Sequence, residues 1–260
     1  MTAASPNELQ QALHNLHAFQ LNGSWRLLDL EYKKWLTKIL LASLEAEGIS
    51  LDKVPLKRAL ELINEDSKQP EELVPRQVIE SLLVTFSVSD STEETYNLNT
   101  TKISRFFARY LFETGDRVWS KDSFLSQWRA LASDLPVDDS LLAGLAIEEV
   151  DATHGQLHVR YFPRSLLLSI AQGDPRKRFE VLFAIKKKWL KNELVPYVSD
   201  LVCSTGQLSD EDVVDPEQIK SHSVALESLM LKYARFCKAS GEEYYTNRLP
   251  ISREVLSLVT

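Results

Sequence analysis

A chain of 260 residues is longer than one typical domain and short for three large ones, so two or three compact units, each with its own core, are expected. With 44% hydrophobic residues, 26% charged residues and only eight glycines, it has neither a disordered nor a collagen-like composition; its best apolar run, Trp35 to Leu44, is broken by Lys38 and falls short of the roughly 20 residues a bilayer span needs. The net charge of -7 argues against indiscriminate polyanion binding, although a mean hides where the charges lie.

In chain order, Ser5 or Asn7 caps a first helix reaching about Ala18, with Pro6 near its first turn and Leu9, Leu13 and Leu16 as its apolar stripe; Asn22-Gly23 ends it. Trp25 to Leu30 alternates as a short strand. Tyr32 to Ala46 repeats apolar residues at helical spacing and stops at Gly48, and Val54 to Ile63 is a third helix introduced by Pro55. After an acidic loop, Asn64 to Glu72, comes the helix Arg76 to about Val84; Phe86-Ser87-Val88 then pairs with Thr95 to Leu98 across Asp90 to Glu94. Helices followed by a two-stranded hairpin are the outline of a winged helix, the hairpin being the wing.

The second stretch repeats that order. Lys102 to Glu113 is an amphipathic helix, Phe124 to Ala132 follows the capping Ser120 or Asp122, and Leu135-Pro136 breaks the chain. A short helix from Asp139 to Leu145 leads to the strands Ala146 to Val150 and Gln156 to Phe162, joined by a turn at Thr153-His154-Gly155. In the third stretch Pro175 opens a long helix through Lys188 or Lys191, and Glu193 to Val202 makes another. Asp210 to Glu217 form a loop, the longest helix runs from His222 to Lys238 and stops at Gly241, and Tyr244-Tyr245 with Ile251 form a last short wing. The expected fold is mostly α with small β-hairpin wings, as three tandem winged-helix domains: 1–99, 100–172 and 173–260.

Met1 to Ser5 offers neither the basic start nor the apolar core of a secretory signal. Cys203 and Cys237 are too few for a disulfide framework, which agrees with a reducing compartment, where the sequons at Asn22 and Asn99 are chance. No glycine-rich phosphate cradle ending in Lys and Ser or Thr occurs, nor a dinucleotide fingerprint or a glycine-flanked nucleophile turn, so no enzyme activity and no cofactor are expected. His14 and His17 share one helix face but lack a third ligand nearby; His154 and His158 flank the second hairpin near Asp151, and His222 sits at a helix start. Structural or solvent-facing roles are the expectation for these five, and the two cysteines read as core residues on apolar helix faces. A metal-dependent enzyme built on the histidines is the remote alternative.

The sharpest local signal lies between Asp174 and Lys191, where Arg176, Lys177, Arg178, Lys186, Lys187, Lys188 and Lys191 put seven cations within sixteen residues. Phe179, Leu182, Phe183, Ile185 and Trp189 supply the packing side of that helix, which leaves Arg178, Lys186 and the neighbouring bases to face outward and neutralise phosphates without reading sequence. Lys232, Arg235 and Arg248 extend the DNA-binding candidates, with Arg160, Arg164 and Lys238 as further cations nearby in kind. A merely solvated face is the alternative. Residues 1–100 carry 9 Lys/Arg against 15 Asp/Glu, whereas residues 173–260 carry 13 against 13; the acidic first stretch therefore suits a protein partner and the last one DNA.

Several phrases recur in matching order in one family: Gly23-Ser24-Trp25-Arg26-Leu27-Leu28, Lys53-Val54-Pro55-Leu56, Lys188-Trp189, Val195-Pro196-Tyr197-Val198-Ser199-Asp200-Leu201, Lys232-Tyr233 and Tyr245-Thr246-Asn247-Arg248-Leu249-Pro250-Ile251-Ser252. From about Glu8 to Ser252 the chain resembles the C-terminal winged-helix region of the defective-in-sister-chromatid-cohesion family. Members are non-ATPase subunits of an alternative, chromosome-transmission-fidelity type replication factor C clamp loader. The resemblance implies a nuclear adaptor that contacts the DNA polymerase epsilon catalytic subunit through the first winged helix and DNA through the second and third, supporting clamp loading and cohesion. It also implies a preceding β-rich region, largely missing here, that joins the two other specific subunits of the loader. A protein-only winged-helix scaffold without DNA binding is the alternative, and no membrane partner is expected. The tail 253–260 extends beyond the family's closing words, with no role assigned.

Overall fold

A computed structural model describes residues 5, 9–10, 12–13, 16–66, 73–88, 94–151, 154–171, 173–202, 210, 212, 216–239 and 241–259. The chain divides into two compact units, residues 1–110 with 131–136, and residues 111–130 with 137–260. Helices predominate, with small antiparallel sheets.

In the first unit, residues 9–10 and 12–13 are helical; of the two proposed caps, Ser5 accepts the Leu9 N–H through its carbonyl at 3.0 Å, while Asn7, like Pro6, lies outside the described residues. Asn22-Gly23 does not simply end that helix. Both residues have positive φ, 51° and 75°, and they reverse the chain between β1 (Phe19–Leu21) and β2 (Ser24–Arg26). Two successive left-handed residues are what a two-residue hairpin turn demands, so the expected strand Trp25 to Leu30 is shortened to Ser24–Arg26. Helix α1 (Leu30–Ala46) starts at Asp29, whose carboxylate accepts the Glu31 and Tyr32 N–H groups at 3.0 and 3.3 Å. Leu36, Leu40 and Leu44, one turn apart, are its buried stripe.

The third expected helix divides in two. Val54–Pro55 is a strand, β3, and only Leu56–Asp66 is helical, α2. Proline has no N–H to give a ladder and tolerates such a short edge position. Helix α3 (Arg76–Phe86) follows, then β4 (Thr95–Tyr96), which pairs with β3. The expected pairing of 86–88 with 95–98 is present as a bridge between Ser87 and Leu98, flanked by Val88 N–H to the Asn97 carbonyl at 3.0 Å. Leu40, Ile63, Ile79, Leu83, Phe86 and Phe106 are all within 1% of full burial and form the centre of this unit.

Helix α4 (Thr100–Thr114) is capped by Asn99, whose Oδ1 accepts the Thr101 and Lys102 N–H groups at 2.9 and 3.1 Å. Then come β5 (Val118–Ser120), α5 (Lys121–Ala132), a 3-10 turn at Asp139–Leu142, β6 (Ala146–Val150), β7 (Leu157–Tyr161) and a short helix α6 (Arg164–Ile170) that the sequence reading did not anticipate. The first of two sheets in the second unit has the order β5-β7-β6.

The remaining elements correct the sequence reading in four places. Helix α7 covers Pro175–Ile185 and stops there; Lys188–Leu190 is a strand, β8. Extending the helix is disfavoured because Trp189 is needed inside: its indole is 1% exposed and donates to the Leu182 carbonyl at 3.1 Å while Lys188 points out. Glu193 to Val202 is not one helix but the last part of α8 (Lys191–Leu194) followed by 3-10 turns at Val195–Tyr197 and Ser199–Leu201, as expected of a segment with Pro196 in its middle. Two short helices, α9 (Pro216–Ser221) and α10 (Ser223–Tyr233), replace the long one; from Ala234 the chain is extended as β9 (Ala234–Ala239), paired along its length with β10 (Glu242–Asn247). Ile251 lies outside the wing, and the tail forms α11 (Arg253–Val259), which buries Val255. The second sheet has the order β8-β10-β9.

The core of the second unit is continuous through the boundary expected at 172/173: Ile147, Phe162 and Leu167 cluster with Phe179, Trp189 and Tyr245. Tyr197 O–H donates to the Phe162 carbonyl at 2.8 Å across the same boundary. Gly144, with φ +74°, lies where an added Cβ would stand 3.0 Å from Pro196 Cβ and 3.2 Å from the Arg164 stem. Gly144→Ala is therefore expected to destabilise the chain by about 1–3 kcal/mol, read as a lowered urea midpoint without a change in slope.

Candidate nucleic-acid interface

The ten cations singled out from sequence do not form one face. Arg178 is the clearest correction: it is 1% exposed, and its Nη1 donates to the Asp200 carboxylate and, at 3.4 Å, to the Tyr197 carbonyl. Helical spacing puts it on the same stripe as Val181 and Leu182, which point into the core, so it cannot meet phosphate from the outside. Three more bases are matched to carboxylates: Arg176 to Glu180 at 3.0 Å, Lys177 to Glu254 at 2.9 Å and Lys186 to Glu193 at 2.7 Å. Glu180 is buried. Desolvation pushes its carboxyl up, but the Ser252 N–H and Arg176 outweigh that and hold it below the usual carboxylate range.

The cations left without a carboxylate partner among the described residues are Lys187, Lys188, Lys191, Lys232, Arg235 and Arg248. Arg248 Nη1 donates to the Leu231 carbonyl at 2.6 Å, near the end of α10, and Lys232 lies 5.3 Å from the Tyr233 ring centre. Strand register gathers two of the others. Lys188 on β8, Thr246 on β10 and Arg235 on β9 are directly opposite one another, so all three share the outer face of the sheet. Tyr244 is two residues from Thr246 and on the same face; its ring lies 5.0 Å from Lys188 Nζ. Lys187 and Lys191 flank β8 and are exposed. The opposite face carries the row Trp189, Tyr245 and Phe236, of which the first two are 1% exposed. The sheet thus turns an aromatic side inward and a cationic side outward.

The further candidates fall away from this patch. Arg160 pairs with Glu149, Lys238 with Glu243 at 3.1 Å, and Arg164 is buried, donating to the Asp212 carbonyl at 2.6 Å. Tyr244 and the alignment of Arg235 with Lys188 were missed from sequence, because 47 positions separate the two cations and only the strand pairing joins them.

Among the described residues no group of three His, Cys, Asp or Glu could hold a metal. His154 Nδ1 lies 3.2 Å from Asp151 Oδ2, His158 Nδ1 3.2 Å from the Gln156 carbonyl, and His222 precedes α10; His14 is outside the described residues. Cys237 sits half-buried on strand β9 as a free thiol, not on a helix face as expected, and Cys203 is outside the described residues. In the first unit large aromatics are exposed: Trp25 by 47%, Tyr32 by 37% and Trp35 by 40%, the last two stacked with ring centres 5.6 Å apart.

Residues 1–198 match the family model described as "Sister chromatid cohesion protein Dcc1". The chain is similar to proteins named "Sister chromatid cohesion protein DCC1" from Danio rerio, 26% identical over 256 residues, and Xenopus tropicalis, 28% identical over 260 residues. It is 25% identical over 252 residues to the protein of that name from Homo sapiens. These matches cover 96%, 97% and 96% of this chain but only 56%, 58% and 56% of the relatives, so the chain spans a little over half the length of each.

Proposed function

The chain belongs to the Dcc1 family of sister chromatid cohesion proteins, and on that premise we propose that it is a non-catalytic adaptor of an alternative, chromosome-transmission-fidelity type replication factor C clamp loader in the nucleus. One observation carries the reading. The order helix, short strand, two or more helical segments, then two extended segments recurs three times, each time with the first strand paired to the last segment and that segment to the one before it, the first time through the single bridge Ser87–Leu98. We read each occurrence as a winged helix, over 1–99, 100–172 and 173–260, with the last two sharing a core.

In this reading residues 1–99 contact the DNA polymerase epsilon catalytic subunit, with Trp25, Tyr32 and Trp35 as the type of exposed aromatic anchors that dominate protein interfaces. Residues 100–260 contact DNA without sequence preference, through Lys187, Lys188, Lys191, Lys232, Arg235 and Arg248. Arg178 is excluded from that set, and Arg176, Lys177 and Lys186 reach phosphate only by leaving their carboxylates. The two other specific subunits of the loader are assigned to the part of the relatives' length that this chain does not match.

A pull-down of the full chain with the polymerase epsilon catalytic subunit is expected to recover a complex that the triple substitution Trp25→Ala, Tyr32→Ala, Trp35→Ala abolishes; no complex with the folded chain would remove the polymerase from the reading. The pairing of Arg176, Lys177 and Lys186 with carboxylates favours a second reading, a protein-only scaffold. Under that reading DNA affinity is no greater than that of an acidic control protein.

A further inference from the structure

The first unit holds an open groove of about 740 Å³, within the about 300–1,000 Å³ of ordinary ligand clefts. One wall is a face of α1 on which Lys38, Leu41, Ala42 and Glu45 recur at helical spacing. The other is the last turn of α5 and the bend that follows, Leu131 to Leu135. Leu44 and Phe107, both 0% exposed, lie at the bottom.

The charges on this groove are lopsided. Lys38, Glu45 and Asp134 are exposed, and the charged group of none has a hydrogen bond or ion pair to a described residue. Helix α1 ends at Ala46 and α5 at Ala132, and Ser133, with φ +54°, turns the chain away directly afterwards. The carbonyls of Ser43, Leu44, Glu45 and Ala132 at these ends already accept backbone N–H groups, so the helix ends add only the weak negative pole of a helix dipole. Two carboxylates thus stand against one ammonium. Phosphate would be repelled, and an apolar segment carrying a positive charge would be attracted.

We propose that this groove docks a short amphipathic segment of a partner protein, with bulky aliphatic or aromatic side chains against the half-buried Leu41, Leu131 and Leu135 and a lysine or arginine against Glu45 and Asp134. From Lys38 to Glu45 the wall is two helical turns, about 10 Å long, which suits the helix-in-groove mode of peptide recognition. A second copy facing the groove across a two-fold axis presents the same concavity and leaves it unfilled. The inference rests on the adaptor reading only in giving the first unit a protein partner, and it does not depend on which protein that is.

The test is a selection of phage-displayed linear peptides against the full chain, with affinities measured by fluorescence anisotropy. Selected peptides are expected to join bulky apolar residues to a lysine or arginine and to lose at least about tenfold in affinity for Ala42→Arg, which fills the groove from an exposed position. The double substitution Glu45→Lys, Asp134→Lys, also at exposed positions, should shift the selected charge from basic to acidic. A selection with no binders, binders indifferent to Ala42→Arg, or a charge preference unmoved by the double substitution overturns the proposal. So does self-association, seen by sedimentation velocity, that Ala42→Arg abolishes, since the occupant is then a second copy. Groove-binding peptides alongside a chain that never captures polymerase uphold the groove and remove that partner; polymerase capture that Ala42→Arg leaves intact, with no peptide binders, does the reverse.

Discussion

Asp200→Ala is expected to lower the unfolding free energy of the full chain by about 3–5 kcal/mol, because it leaves a buried guanidinium without its counter-ion. Arg178 is 1% exposed and, among the described residues, pairs with the carboxylate of Asp200, whose side chain is 32% exposed. The two halves of the pair are therefore unequal. Arg178→Met removes the buried charge and keeps much of the volume; the carboxylate left behind reaches water, so the loss should be smaller, about 1–3 kcal/mol. Urea denaturation of both variants measures the difference. Equal losses, or a smaller loss for Asp200→Ala, would mean that the guanidinium is hydrated in solution. Neither substitution should change the DNA affinity of the folded fraction, which separates this residue from the surface cations.

The combined substitution of Lys187, Lys188, Lys191 and Arg235 by glutamate is expected to lower DNA affinity by at least about 100-fold at 0.1 M salt and to flatten the plot of log affinity against log salt by about 3 to 4 in slope. The arithmetic is that of counterion release, about 0.9 in slope for each phosphate neutralised. These side chains are exposed and pair with no described carboxylate, so the fold should tolerate the change. Charge reversal at Arg176 and Lys177 provides the contrast: both are tied to carboxylates, and their loss should move the slope by less than about 1. Anisotropy titrations of a labelled duplex at several salt concentrations supply both numbers. An unchanged slope in the fourfold variant would favour the protein-only scaffold.

Much of the fold was legible because its helices are amphipathic and the hairpin of β6 and β7 is bounded by turn residues. The strands β6 and β7 were expected within a residue or so of where they lie, since five residues are enough to show alternation. Strands of two or three residues are not. Lys188-Trp189-Leu190 follows a helix without a breaker, and Lys, Trp and Leu continue a helix as well as a strand, so only the demand that Trp189 be buried settles the matter. Ala234 to Lys238 was misread although its strand has six residues, because it continues α10 without a breaker and its pairing partner lies beyond Gly241.

The site was less legible than the fold. A run of bases reads as a surface, yet Arg178 is drawn inside by a carboxylate 22 positions away, and three neighbours are tied to Glu180, Glu193 and Glu254. Sequence displays the charge of each residue but not its partner. Lys188 and Arg235 show the converse, because cations far apart in sequence meet through Thr246.

The packing of Ile147 and Phe162 with Trp189 and Tyr245 makes the two three-stranded sheets of the second unit parts of one solid. Among the described residues no linker of adjustable length separates them. A polymer lying along their outward surfaces would meet a ruler whose two graduations are joined through one packed interior, and would have to bend or shift its own register to fit.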